Sequence, residues 1–251
     1  MFREYFLLLI LGHIVGDFYI QTEYMAYKKR EDKKKLLLHG LLYWLSMLFV
    51  SLPVISLPIV LFATIASVLH FSIDYLKYIY ISVQKKKGCF TARIEQNVFF
   101  TDQVLHVLGL IIIAYSFISS NYTFCVNYFT KSLLLTTGLS AKNLLNWLVV
   151  LLAIHKPANI IISQFLMSFR PANKNKKGGE NRKAGKYIGT LERIIILLFI
   201  SLKQYSAIGL VLTAKSIARY DRITKDASFA EYYLLGTLLS TLSAVVMSFT
   251  L

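Results

Sequence analysis

Residues 5–24 read Tyr5-Phe6-Leu7-Leu8-Leu9-Ile10-Leu11-Gly12-His13-Ile14-Val15-Gly16-Asp17-Phe18-Tyr19-Ile20-Gln21-Thr22-Glu23-Tyr24. At about 1.5 Å per residue, some 20 apolar residues cross the hydrocarbon core of a bilayer as a helix. A signal peptide would end in a small-residue cleavage site and would not carry His13 and Asp17 inside its apolar run. The stretch therefore reads as a membrane-spanning helix with two polar side chains built into it. His13 and Asp17 are four residues apart, which places them one turn apart on a single face.

Seven further apolar runs follow, over residues 36–52, 57–83, 94–119, 144–169, 187–202, 205–218 and 231–250. Of the 251 residues 56% are hydrophobic and 16% charged, against roughly 45–50% and about 25% in soluble domains. That excludes a disordered chain, a collagen-like repeat and most soluble enzymes. The expected fold is all-α: a polytopic transmembrane bundle of about eight spans. The sixth and seventh runs are short and read equally as a re-entrant hairpin or a tilted pair.

The net charge of +15 would suggest nucleic acid in a soluble protein. Here the basic residues gather in alternate connections, at 28–35, 85–93, 170–186 and 219–225. Such clusters mark cytoplasmic loops. This parity puts both termini on the outer side of a bacterial inner membrane, and no nucleic-acid partner is expected. Three parts follow: a five-span half over 1–169, a basic connection over 170–186 and a three-span half over 187–251. Cys89 and Cys125 fall on opposite sides and are too few for a disulfide framework or a thiolate zinc site.

Only three acidic residues lie well inside spans, and each has a histidine four positions away. The pairs are His13 with Asp17, His70 with Asp74, and Asp102 with His106; His39 opens the second span. An intramembrane carboxylate costs about 2.5–3.5 kcal/mol at a helix centre. Within the first four spans Lys77 is the sole cation expected to offset them. Imidazole nitrogen and carboxylate oxygen are ligands for first-row metals, and an i, i+4 pair is a two-ligand clamp. Under the charge-derived topology all seven side chains fall in the inner half of the bilayer. They suit one or two divalent ions (zinc, manganese or iron), with the carboxylate left unliganded among Asp17, Asp74 and Asp102 acting as general base toward water. The competing reading is a metal-free proton relay or polar packing network.

The three-span half carries a second cluster: Arg193, Lys215, Ser216 and Arg219, expected at the cytoplasmic face as an anion clamp for a phosphate. Glu192 is expected to pair with Lys215, and Glu231 with Arg193 or Arg219. The alternative is helix-end anchoring and small-residue packing through Gly185, Gly189 and Gly236. In His155-Lys156-Pro157 the proline is expected to kink the fifth span.

The opening Leu11-Gly12-His13-x-x-Gly16-Asp17-Phe18-x-x-Gln21-Thr22, together with His39, His70-x-x-x-Asp74 and Asp102-Gln103-x-x-His106, resembles the bacterial and phage membrane proteins grouped as domain of unknown function 3307. So do Ile188-Gly189-x-Leu191-Glu192-Arg193, Lys215-Ser216 and Glu231-Tyr232-x-Leu234-x-Gly236-Thr237. A looser similarity is to membrane-bound metal-dependent hydrolases. The name domain of unknown function 3307 implies no activity.

The leading expectation is an integral membrane metalloprotein that hydrolyses a phosphate-bearing lipid or nucleotide-like substrate from the cytoplasmic side. A divalent-cation or proton transporter is the first alternative. A non-catalytic scaffold or regulator whose basic loops bind membrane lipids is the second. A permeation path needs polar groups through the whole thickness, and outer stretches such as Leu110-Ile111-Ile112-Ile113-Ala114 supply none.

Overall fold

The computed structural model describes residues 1–169 and 178–251. Among them the regular structure is all helical, with no strand. The helices are α1 (Phe2–Ile14), α2 (Glu23–Lys28), α3 (Lys33–Ser51), α4 (Leu57–Lys86), α5 (Ala92–Ser119), α6 (Tyr128–Thr137), α7 (Ala141–Phe165), α8 (Gly178–Ser201), α9 (Tyr205–Ile217), α10 (Tyr220–Lys225) and α11 (Ala227–Ser248). Five segments are long and apolar enough to cross a membrane: Lys33–Val54, Leu57–Lys86, Ala92–Ser119, Ala141–Phe169 and Ala227–Ser248. The chain is thus a multi-pass membrane protein by composition and length.

The boundaries follow local chemistry. Side-chain oxygens of Asp32, Thr91, Asn127 and Asp226 accept from backbone N–H groups in the first turns of α3, α5, α6 and α11. Pro53 and Pro58 separate α3 from α4. Gly138, at φ +67°, ends α6 in the left-handed conformation. Three short helices, α2, α6 and α10, lie in connections that the hydropathy pattern leaves unassigned.

The chain divides into two compact units, Met1–Val149 and Val150–Leu251. The division falls inside α7, well before residue 169. The basic connection expected at 170–186 lies partly outside the described residues, at 170–177; from Gly178 onward the backbone is already helical as the start of α8.

In the first unit α1 packs on α3 and α5, α3 on α4, and α4 on α5, so four helices surround one interior. One end of that interior is apolar, filled by Tyr5, Leu8, Leu9, Met47, Phe62, Ile113 and Phe117 among others. At the opposite end the basic segments meet: Arg30 pairs with Glu95, and Lys85 with Glu31. In the second unit α8 packs on α9 and α11, and α10 on α11.

Candidate metal centre

The centre begins with an irregularity in the first helix. After Ile14 the chain continues as a π-helical turn, Val15–Ile20, which carries Asp17. Such turns widen a helix by one residue and re-aim the side chains on it. Gly12 and Gly16 let this segment lie against α3. A Cβ on Gly12 would collide with the Met47 sulfur, and one on Gly16 would stand 2.7 Å from the Tyr43 ring and 2.8 Å from Ser46 Oγ. This close approach brings Asp17 beside His39.

All seven sequence-predicted side chains (His13, Asp17, His39, His70, Asp74, Asp102 and His106) are buried in the first unit. Asp17 Oδ1, His39 Nε2 and His70 Nε2 form a nearly equilateral triangle, with separations of 3.1, 3.2 and 3.2 Å. Ligands about 2.0–2.1 Å from a tetrahedral zinc stand about 3.3–3.4 Å from one another. The triangle therefore has the dimensions of one face of such a site. Asp74 Oδ2 lies 3.2 Å from His39 Nε2 and 3.5 Å from His70 Nε2. Two further sets, His13 with Asp17 and His106, and His70 with Asp74 and His106, each bring one atom per residue within 4.8 Å of one another.

Several of these polar atoms have no hydrogen-bond partner: His13 Nε2, His39 Nδ1, His70 Nδ1, Asp102 Oδ1 and both ring nitrogens of His106. A buried polar atom without a partner costs about 1–3 kcal/mol, so these groups could hold a metal ion. The groups fit a first-row divalent metal by donor type and by spacing.

Two residues that sequence reading did not place in the centre belong to it. Lys29, from the basic connection between α2 and α3, is 5% exposed, and its Nζ donates to Asp74 Oδ2 at 2.7 Å. The expectation that Lys77 is the sole offsetting cation is therefore corrected. A residue whose neighbours read as a solvated loop folds back onto the carboxylate. Lys77 itself donates to Asp102 Oδ2 at 2.6 Å. Tyr43 is the second addition. Its ring stacks on His70 with centroids 3.6 Å apart, and its hydroxyl stands 3.3 Å from His13 Nδ1. The signal for Tyr43 was present in its i+4 spacing from His39; nothing local signals Lys29. Gln103 Nε2 donates to Asp102 Oδ2 at 3.3 Å, and Gln21 Nε2 to the Asp17 carbonyl at 3.1 Å.

The second cluster is arranged differently. Arg193 is 1% exposed and spends its guanidinium inside its own unit. Nε donates to the Ile154 carbonyl at 2.7 Å, Nη1 to Ser240 Oγ at 3.1 Å, and Nη2 to Asn159 Oδ1 at 2.8 Å. Ile154 lies in the turn before Pro157, inside α7; the carbonyl that the missing proline N–H leaves without its helical donor is that of the adjacent Ala153. Lys215 Nζ and Glu192 Oε2 are 2.7 Å apart. Ser216 Oγ donates to the Leu212 carbonyl of its own helix, and Arg219 is exposed. Among the described residues Glu231 pairs with neither Arg193 nor Arg219. Arg193 is thus held by acceptors on α7, α8 and α11, while Lys215 Nζ lies over the Tyr233 ring, 5.3 Å from its centroid. His155 Nδ1 stands 3.3 Å from Thr190 Oγ1 beside this tie.

A family described as Protein of unknown function (DUF3307) matches residues 5–136. The chain belongs to this family. Its match takes in α1 to α5 and nearly all of α6, and with them every residue of the centre. The DUF3307 match stops short of Arg193 and its partners. No curated protein and no solved structure matches the chain.

Proposed function

We propose that this DUF3307 protein is a metal-dependent hydrolase of the bacterial inner membrane, acting on a phosphate-bearing substrate from the cytoplasmic side. The observation that carries the reading is the triangle of Asp17 Oδ1, His39 Nε2 and His70 Nε2. Three protein ligands with a further position left open is the pattern of a catalytic site rather than a purely structural one. The topology belongs to the same proposal. It has eight crossings, with α1 and its π-helical turn, α8 and α9 joining the five long apolar segments. Both termini lie outside and the basic connections inside.

A divalent ion in such a site would polarise the phosphoryl oxygen and acidify water. Asp17, His39 and His70 would hold it, and the chain's own groups would do the rest. Asp102 has one oxygen occupied by Lys77 and the other, Oδ1, facing His106 Nδ1 at 3.8 Å; in this reading Oδ1 takes a proton from the attacking water. The water oxygen bonds to phosphorus as the ester P–O bond breaks, and that proton ends on the departing oxygen. The apolar plug at the other end of the unit argues against a permeation path.

One observation favours the metal-free relay instead: Lys29 and Lys77 already pair with two of the three carboxylates. Elemental analysis of the purified full chain separates the two readings. Stoichiometric zinc, manganese or iron that vanishes in Asp17→Asn, with turnover of a phosphodiester such as bis(p-nitrophenyl) phosphate lost alongside it, is the expected result. Metal-free protein of undiminished stability would overturn the proposal.

A further inference from the structure

We infer that the centre is built for one divalent cation per chain, with the ammonium groups of Lys29 and Lys77 occupying the carboxylate oxygens that a second metal would need. The inference rests on the metal reading above and deepens it.

The first support is occupancy. Two metals in one site are joined by carboxylates that offer an oxygen to each. Asp74 Oδ2 is taken by Lys29 Nζ at 2.7 Å and Asp102 Oδ2 by Lys77 Nζ at 2.6 Å. Asp17 alone of the three carboxylates has no ammonium in ion-pairing range among the described residues, and Asp17 is the one in the triangle.

The second support is charge. Three carboxylates and two ammonium groups leave the centre at −1 with its imidazoles neutral. One divalent ion brings it to +1, and two would bring it to +3. Each uncompensated charge is costly inside a membrane, so the second ion is disfavoured. Replacing both lysines reverses the balance: the bare centre stands at −3 and accepts two ions to reach the same +1.

The third support is placement. Lys77 shares a face of α4 with His70 and Asp74, at i+7 and i+3. Lys29 arrives from outside the four-helix ring and is nonetheless buried. A lysine is rarely so buried without a partner of opposite charge, and this one is aimed at a carboxylate within the candidate ligand set.

The test is metal per chain in the purified full-length protein, equilibrated with Zn²⁺ or Mn²⁺ and freed of unbound ion. One equivalent in the wild type, one in K29R and K77R, and two in the K29M/K77M double variant are expected. If the double variant does not fold, each single methionine variant keeps one equivalent and binds it roughly tenfold or more tightly, because one positive charge beside the ion is gone. Two equivalents in the wild type, a folded double variant that stays at one, or single variants with unchanged affinity would overturn the inference while leaving the metal reading intact. No metal in any of the proteins would overturn both.

Discussion

Lys29 sits among Lys28, Arg30 and Lys33, in a stretch whose composition reads as a solvated basic loop. In the fold its ammonium is buried against Asp74. Removing one partner of a buried ion pair typically costs about 3–5 kcal/mol, because the other charge is left uncompensated. In metal-depleted protein, Lys29→Ala should therefore lower stability by about that amount, and adding Asp74→Asn should restore most of it. Thermal or chemical unfolding in detergent measures both. Equal losses in Lys29→Ala and in the exposed Lys33→Ala would contradict the pairing. The histidines and carboxylates of the centre were legible because an ionisable group inside an apolar run stands out on cost alone. Lys29 was not, since a tertiary contact leaves no trace in local composition.

At the scale of the element, the first helix shows what spacing does and does not reveal. The i, i+4 interval between His13 and Asp17 places them on one face, and both are buried in the centre. The interval does not reveal that the backbone widens into a π-helical turn over Val15–Ile20. Deleting Val15 should convert this turn to regular α-helix and swing Asp17 by roughly 100° about the axis. The expected result is a folded helical protein, by circular dichroism, that has lost its metal. Retention of the full metal content would show that the turn does not set the aim of Asp17. The fifth apolar run was legible as a helix with a proline inside it. That Arg193 supplies the donor for Ile154 was not, because a basic residue near a span end reads equally as a ligand-binding group.

Over the whole molecule, hydropathy and charge parity carried most of what could be read. Every one of the eight apolar runs is occupied by a helix, and the segments bearing Arg30 and Lys85 lie at one end of the first unit. The division within α7 was not legible, because no change of composition marks it. The two free, exposed cysteines offer a direct check of the proposed topology. In intact spheroplasts a membrane-impermeant maleimide should label Cys125 in a Cys89→Ser variant. It should spare Cys89 in a Cys125→Ser variant until the membrane is permeabilised. The opposite pattern would invert the assignment and place the centre near the outer face.

The central claim is that Asp17, His39 and His70 hold one cation between them, and X-ray absorption at the metal edge of the metal-replete full chain tests it most directly. The account predicts nitrogen and oxygen scatterers at about 2.0–2.2 Å, with outer-shell imidazole scattering from two histidines that weakens in His39→Ala and in His70→Ala. A spectrum without imidazole scattering, or one unchanged by both substitutions, would contradict it.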